Sequence, residues 1–317
     1  MDLIPMSGLN EIIFIAKKAE NYGFSYILVS DLPKNRGLWP LLGGLALNTK
    51  RVKLGPGITN PYITHPIVIA QNLATLAEVA KDRVVCGLGA GDEEALKALG
   101  INRYKPIEYV KEATELIRAY LKGEGSYKGE IFKLINFKSN FSSPLNIPIY
   151  IGAQGKKMLE LANSIGDGVL INSSNPEYLR KFNLRKNFKI GVISPYFIAD
   201  SYLEAKRIVS PLVATIVAGC SPNTLKEHGI SLEDKEKVLK AIKLGDLDLI
   251  RQSVKDYMLE SFSICGRAEE CLEKINRLKE LGINLFIACL PSSIKSIHKI
   301  LKDTKEKILV NLIREKE

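Results

Sequence analysis

The chain has 317 residues, of which 46% are hydrophobic and 25% are charged, and its formal net charge is +10. This composition is typical of a globular protein with a sizeable core, so wholesale disorder is excluded. The basic residues are scattered along the chain, which indicates a solvated surface rather than a nucleic-acid interface. We therefore expect an anionic ligand and no nucleic-acid partner.

Three long segments contain no charged residue: 54–77, 139–155 and 208–225. Proline and glycine interrupt all three, so a continuous membrane-spanning helix of about 20 residues does not fit them. Buried core and the wall of a pocket are the remaining interpretations, and we expect no membrane partner.

The cysteine pattern and the start of the chain indicate the compartment. Five cysteines are present and none forms a C-x-x-C pair, which suits a reduced, intracellular protein. Residues 1–11 lack the basic and long apolar regions of a signal peptide. We therefore expect a cytoplasmic protein, and its many Ile, Lys and Glu residues suit a thermophile.

Strand and helix patterns alternate along the chain. Apolar runs rich in β-branched residues predict eight buried parallel strands, over residues 1–5, 24–30, 52–57, 83–89, 147–152, 168–171, 189–198 and 284–290. Helical patterns follow each strand, over 9–22, 38–47, 67–79, 104–121, 156–164, from Pro176, from Tyr202 and over 292–301.

Eight strands that are each followed by a helix predict an α/β fold, a (β/α)8 TIM-type barrel with a single domain over 1–317. Two stretches do not fit the eight units. Residues 123–146 predict a hairpin insertion after the fourth unit, and residues 221–261 predict extra helices before the eighth strand. A doubly wound sheet is the alternative, but the first strand is not followed by its G-x-G-x-x-G turn.

In such a barrel the active-site residues follow the carboxyl ends of the strands. Those ends are rich in glycine and small polar residues, namely Asp2, Asp31, 57–60, 89–92, 152–155, 172–174 and 291–293. Such residues offer backbone N–H groups to a flat ring and a phosphate. The sequence shows no Cys/His cluster, nucleophile elbow or P-loop, so we expect no metal.

Residues 152–155 precede a helix, where free N–H groups and the helix dipole favour an anion. Lys156 and Lys157 in its first turn oppose the dipole unless an anion lies beside them. From the residues alone a structural turn is an equal alternative. Asp31 and Asp92 could likewise be turn or N-cap residues, and Asp2 a frayed terminus.

Taken together, several segments resemble the 5,10-methylenetetrahydromethanopterin reductases of the bacterial-luciferase-like superfamily. The resemblance runs in order from about Asp2 to Ser292. It is carried by residues 55–62 (Gly-Pro-Gly-Ile-Thr-Asn-Pro-Tyr), 87–92, 147–155, 168–176, 216–219, 228–230 and 262–266.

The resemblance implies a barrel that binds the deazaflavin coenzyme F420 and passes a hydride from its reduced ring to the methylene group of a tetrahydropterin, giving the methyl form. It implies catalytic carboxylates at Asp2 and Asp92, facing the pterin. The implied cofactor-binding residues are Asp31, Gly57, Ile58, Thr59, Asn60, Gly89, Ala90, Gly91, Ala153, Gln154, Gly155, Asn172, Val217 and Ala218. We also expect a homodimer or homotetramer.

Two departures from the family pattern bear on the reaction. Asp31-Leu32 stands where an Asp-His pair is usual, so alcohol or sugar oxidation by a histidine there is not expected. Asp2 replaces a glutamate and is one methylene shorter.

Two other functions stay open. One is an FMN-dependent luciferase-like monooxygenase, or an F420-dependent oxidoreductase with another substrate. The other is a non-catalytic flavin-binding paralogue, against which the intact segments 57–58 and 89–92 and Gln154 argue.

Overall fold

The computed structural model describes residues 1–141, 144–183, 185, 188–293 and 295–314. They form two compact units. The amino-terminal unit comprises Asp2–Leu170 and Pro291–Ser293, and the carboxy-terminal unit comprises Met1, Ile171–Leu290 and the described residues from 295 onward. The single domain over 1–317 stays a prediction.

Six parallel strands follow one another in chain order through the amino-terminal unit. They are β1 (Asp2–Ile4), β2 (Tyr26–Val29), β3 (Lys53–Pro56), β4 (Cys86–Leu88) and, after the short antiparallel hairpin β5 (Tyr127–Lys128) and β6 (Lys133–Leu134), β7 (Ile149–Ala153) and β8 (Gly168–Ile171). Each pairs with its neighbour in this order, and single bridges join β3 and the residues after it to β4. Nearly every strand residue is buried, as expected when helices cover a parallel sheet.

Helices alternate with these strands because their apolar residues recur at helical spacing. They are α1 (Leu9–Asn21), α2 (Leu38–Asn48), α3 (Pro66–Val79), α4 (Glu93–Ala98), α5 (Pro106–Leu121) and α6 (Lys156–Ile165). In α1, for example, Ile12, Ile15, Ala16 and Ala19 form the buried face.

The carboxy-terminal unit is mostly helical around three strands. Its elements are α7 (Pro176–Leu179), β9 (Lys189–Ile198), α8 (Tyr202–Gly219), α9 (Pro222–Glu227), α10 (Leu232–Leu244), α11 (Leu247–Ser253), α12 (Asp256–Phe262), β10 (Ile264–Gly266), α13 (Ala268–Glu280), β11 (Leu285–Pro291), α14 (Ile297–Asp303), the π-helical turn Thr304–Leu309 and α15 (Val310–Arg314). The first half of β9 pairs with β11 and its end pairs with β10, all in parallel.

A strand is present at each of the eight predicted positions, and β10 and α4 were not predicted. The hairpin β5–β6 lies within 123–146, of which residues 142 and 143 are outside the described residues, and α9 to α11 lie within 221–261. Among the described residues, none of the helices is both long enough and apolar enough to cross a membrane.

The prediction of a helix from residue 292 is wrong, because α14 begins at Ile297. Ser292 instead bonds to the end of β1. Its N–H donates to the Ile4 carbonyl at 3.0 Å, and its hydroxyl accepts from the N–H groups of Met6 and Ser7 at 2.9 and 2.7 Å. Residue 294 lies outside the described residues.

Glu112 on α5 holds the hairpin in place. Its carboxylate accepts the backbone N–H groups of Glu130, Ile131 and Phe132 at 3.0, 2.9 and 3.0 Å. A Cβ on Gly129 would lie 2.0 Å from its Oε2, so only glycine fits there. Burial raises the pKa of Glu112, but the three N–H donors outweigh burial and the net pKa is lowered.

We expect Glu112→Gln to lower the free energy of unfolding by about 1–3 kcal/mol at pH 7, because an anionic acceptor of several N–H groups is lost. Since the folded-state pKa is below the unfolded one, the contribution is present above the unfolded pKa of about 4.3 and is lost as the pH falls through the folded pKa. Denaturant unfolding at pH 7 and at stepwise lower pH measures this difference. Glu115→Gln, which removes the negative charge of the group that accepts the Tyr127 hydroxyl, is the control. An equal loss of unfolding free energy in the two variants at pH 7 would contradict the prediction.

Candidate active site

The segment that follows β3, residues 57–60, is here called the β3 loop, and the side chain of Ile58 is packed closely against glycines. Three glycines at the carboxyl ends of β4 and β7 lie against it. A Cβ added to Gly152, Gly89 or Gly87 would lie 2.3, 3.1 or 3.3 Å from Ile58 side-chain carbons. These three glycines, the glycine floor, therefore let Ile58 lie directly on two strand ends while its side chain stays half-exposed.

Asp2 lies beneath the β3 loop and is not a frayed terminus. It is 2% exposed and is the first residue of β1, so the prediction that it lies at the carboxyl end of a strand is wrong. The Ser30 hydroxyl donates to Asp2 Oδ2 at 2.6 Å. A Cβ on Gly57 would lie 2.5 Å from Asp2 Oδ1 and 2.6 Å from Leu28 Cβ. The structure thus brings two predicted site residues, Asp2 and Gly57, into direct contact.

Asp31 is bonded to the β3 loop from the end of β2. The hydroxyl of Thr59 donates to Asp31 Oδ2 at 2.7 Å, and Thr59 itself is fully buried. Burial raises the pKa of Asp31, and the Thr59 hydrogen bond offsets only part of that rise. Leu32, which stands where the family pattern has histidine, is half-buried.

Residues 89–92, here called the β4 turn, touch the β3 loop at Asn60. Gly91 has a φ of +72°, which favours glycine, and a Cβ there would lie 3.1 Å from the Asn60 Cγ. Asn60 is itself fixed, because its Oδ1 accepts the N–H groups of Tyr62 and Ile63 at 3.1 Å each. Ala90, which lies between Gly89 and Gly91, is half-buried.

Asp92 ends the β4 turn and caps α4. Its Oδ1 accepts the Ala95 N–H at 2.8 Å, and the residue is exposed. The N-cap alternative is therefore what the structure shows. A capping carboxylate keeps its second oxygen, so a role towards a ligand stays a prediction.

Residues 153–155 lead into α6 after β7. Ala153 is buried, Gln154 and Gly155 are half-buried, and Gly155 is the N-cap without a side-chain cap. The first turn of α6 holds no acidic residue, and Lys156 and Lys157 are exposed there. Lys156 Nζ lies 3.9 Å from Glu160 Oε1, an exposed pair that contributes little.

Three predicted cofactor residues belong to the carboxy-terminal unit. Asn172 follows β8 and is half-buried, while Val217 is fully buried and Ala218 half-buried at the end of α8. Next to Asn172, the Ser174 N–H donates to the Ser261 carbonyl at 2.9 Å. That contact fixes the chain after β8 to the end of α12.

A cleft of about 550 Å³ lies in the carboxy-terminal unit, with Ile190 and Asn284 among its lining residues. These two residues are at the amino ends of β9 and β11. Barrels of this class act at the opposite strand ends, so we assign no role to this cleft. In the described part of the chain, no group of three His, Cys, Asp or Glu side chains is arranged to hold a metal ion.

Sequence reasoning missed Arg103 and Tyr104, between α4 and α5. Arg103 Nη1 donates to the Gly91 carbonyl at 3.1 Å, and the Tyr104 carbonyl accepts the Tyr62 hydroxyl at 2.6 Å. Neither residue follows a strand, and neither belongs to an apolar pattern that would predict a site. Only Tyr62, inside the segment 55–62, was within reach of sequence reasoning.

The sequence profile of the luciferase-like monooxygenase family matches residues 2–285, so the protein is of the luciferase-like class. It is 37% identical to the 5,10-methylenetetrahydromethanopterin reductase of Archaeoglobus fulgidus, over 97% of this chain and 98% of the relative. It is 34% identical to the enzyme of the same name from Methanolobus tindarius, over 92% and 93%. The chain therefore belongs to the 5,10-methylenetetrahydromethanopterin reductase family.

The fold is also that of a solved member. The structure is similar to the coenzyme F420-dependent tetrahydromethanopterin reductase of Methanopyrus kandleri with a TM-score of 0.89, at 28% identity and over 98% of both chains. This likeness confirms the predicted fold class, an α/β TIM-type (β/α)8 barrel.

We expect Gly152→Ala to push Ile58 off the glycine floor, since the new Cβ would meet Ile58 Cδ1 at 2.3 Å. Binding of F420 should weaken about tenfold or more, because small displacements of a positioning surface are costly. The measurement is the F420 dissociation constant by fluorescence titration.

The double variant Gly152→Ala/Ile58→Val removes the colliding methyl group and should recover most of the affinity. Gly43→Ala on α2, where a Cβ meets nothing within 4 Å, is the control. Wild-type affinity in Gly152→Ala would show that the position of Ile58 is irrelevant to the cofactor.

Proposed function

We propose that the protein is an oxidoreductase that transfers a hydride from reduced coenzyme F420 to a methylene-tetrahydromethanopterin-like one-carbon carrier, giving the methyl form. The observation that carries this proposal is the 37% identity to a named reductase along nearly the whole of both chains. The cofactor supplies the redox chemistry, and the chain's own residues have to bind, orient and shield it.

The residues at the strand ends fit a flat ring. The glycine floor leaves Ile58 as a half-exposed apolar side chain on a surface without other side chains at those three positions. Gly57 is fixed by donating its N–H to the Val29 carbonyl at 2.8 Å. A rigid, uncharged support of this kind favours an extended ring system and costs little reorganisation when it binds.

The start of α6 fits the anionic part of the cofactor. Gly155 is not capped by a side chain, and the first turn carries Lys156 and Lys157. Free N–H groups, the helix dipole and two cations together favour a phosphate. Ala153 and Gln154 belong to the same proposal, and Asn172, Val217 and Ala218 stay predicted cofactor contacts.

Asp31 and Leu32 narrow the substrate class. Leucine can neither accept nor donate a proton, so this position supplies no base for oxidising an alcohol. Asp31 is engaged by Thr59, which fixes the β3 loop. This chemistry favours reduction of an acceptor over dehydrogenation of a hydroxyl group.

The name of the matching family supports one competing function, an FMN-dependent monooxygenase. The test that separates the two has two arms with purified protein. One supplies reduced F420 and methylene-tetrahydromethanopterin without oxygen, and the other supplies reduced FMN with oxygen. We expect stoichiometric oxidation of F420 and formation of methyl-tetrahydromethanopterin. Turnover only with reduced FMN and oxygen would overturn the proposal, and binding of F420 without turnover would favour a non-catalytic paralogue.

We propose that Asp2 and Asp92 act on the pterin, and Asp→Asn variants test each. Asn at position 92 still caps α4, and Asn at position 2 still accepts from Ser30, so unfolding temperatures should change little. Loss of the charge should lower kcat by about tenfold or more, with an unchanged F420 dissociation constant. Steady-state kinetics at saturating F420 measure this effect. Full turnover in either variant removes that carboxylate from the catalytic set.

We further propose that the protein is a cytoplasmic homodimer or homotetramer, from a thermophile, without nucleic-acid or membrane partners. All five cysteines are free thiols in the structure, which suits a reducing compartment. Light scattering of the purified protein measures its oligomeric state.

A further inference from the structure

Arg103 holds the β4 turn from the segment between α4 and α5. Its Nη1 donates to the Gly91 carbonyl at 3.1 Å, and its Nη2 lies 2.5 Å from Glu93 Oε2. The Arg103 side chain is 24% exposed, while that of Glu93 is 61% exposed. Because an exposed ion pair contributes little, the bond to the backbone of the turn is the contact that matters.

The next residue, Tyr104, holds the chain that follows the β3 loop. Its carbonyl accepts the Tyr62 hydroxyl at 2.6 Å. Tyr62 is also stacked on Tyr109, with ring centroids 4.2 Å apart and planes 10° from parallel. Phe132 of the hairpin packs edge-on against Tyr109 at 5.4 Å. Tyr62 thus has a fixed ring and a fixed hydroxyl, only two residues after Asn60.

Two adjacent residues, Arg103 and Tyr104, therefore contact the β4 turn and the chain just after the β3 loop, respectively. The loops are joined directly near the strands, where the Gly89 N–H donates to the Thr59 carbonyl at 2.9 Å. Farther along both loops, Gly91 offers no side chain to Asn60, so that part of the contact holds them weakly. Burial raises the pKa of the Tyr62 phenol well above its usual range, which keeps the hydroxyl a donor at every physiological pH. The planar guanidinium of arginine holds its donors in a rigid fork, whereas the donors of a lysine ammonium lie on a single nitrogen at the end of a flexible chain.

We propose that Arg103 and Tyr104, here called the brace, are positioning residues that set the spacing between the β3 loop and the β4 turn. The inference rests on the proposed function, in which the β3 loop supports the ring of F420 and the β4 turn carries Asp92, which acts on the pterin. The brace touches neither ligand. It acts through the Gly91 carbonyl and through Tyr62.

The chain offers a matched control for Arg103. Arg118 also bridges one backbone carbonyl and one carboxylate, donating to the Ile165 carbonyl at 2.6 Å and to Asp167 Oδ2 at 2.7 Å. Those partners lie at the end of α6 and just before β8, at the amino end of that strand. For Tyr62 the control is Tyr127, whose hydroxyl donates to Glu115 on α5.

The experiment compares Arg103→Met, Arg103→Lys and Tyr62→Phe with Arg118→Met and Tyr127→Phe in the full-length protein. Hydrogen–deuterium exchange without cofactor reports on the loops themselves. We expect faster exchange of residues 57–62 and 89–92 in Arg103→Met and Tyr62→Phe, and unchanged exchange there in the two controls. The F420 dissociation constant should rise about tenfold in Arg103→Met, with partial recovery in Arg103→Lys and no change in Arg118→Met.

Tyr62→Phe and Arg103→Lys retain most of the native packing. If hydrogen–deuterium exchange of the two loops and the F420 dissociation constant are unchanged in both variants, the proposal is wrong, even if Arg103→Met does not fold. Equal effects in the Arg103 and Arg118 variants would assign Arg103 a general role in stability and overturn the proposal as well. Failure of the proposed function has a different signature. Wild-type protein would then not bind F420, whereas the exchange of the two loops would still respond to the brace.

Discussion

The close approach of backbone to backbone at the strand ends is the constraint on which the site depends. A Cβ on Gly55 would lie 1.8 Å from the Val85 carbonyl, and one on Gly87 would lie 2.5 Å from the Pro56 carbonyl. Packing of β3 against β4 at this distance excludes side chains at both positions. It also sets where the chain leaves β3, and therefore where Ile58 lies on the glycine floor. Interiors are packed too densely for such contacts to relax freely.

Buried carboxylates serve two different purposes in the amino-terminal unit, and their surroundings distinguish them. Glu20 accepts the backbone N–H groups of Lys50, Arg51 and Val52. Burial raises its pKa, but these donors outweigh burial and the net pKa is lowered. Glu112 follows the same pattern. In both residues the lowered pKa favours the anionic form, and the anion fixes a chain segment, so we interpret both as structural.

Asp2 and Asp31 have a different environment, since Asp2 is the first residue of β1 and lies against Gly57, while Asp31 follows the carboxyl end of β2. Each accepts a hydrogen bond from a hydroxyl group, and burial raises the pKa of Asp31. A carboxyl group whose pKa is raised, such as that of Asp31, changes its protonation more readily near neutral pH. This contrast is a physical reason to look for function at the strand ends and for stability at Glu20 and Glu112.

The sequence by itself determined the eight strand positions and the strand ends that carry the candidate site. Hydrophobic periodicity is a local property, so runs such as 24–30 and 168–171 disclose buried strands without knowledge of their neighbours. Only the tertiary structure decided that Ser292 bonds to the end of β1 instead of starting a helix, that Asp92 caps α4, and that Arg103 and Tyr104 tie two loops together. The sequence also did not predict β10, because a strand of three residues is too short to show a hydrophobic pattern. Apart from the cap of α4, which is a local bond between Asp92 and Ala95, these features depend on hydrogen bonds between residues farther apart in the chain, such as Met6 and Ser292. Local periodicity does not predict such bonds, because their partners come together only in the tertiary structure.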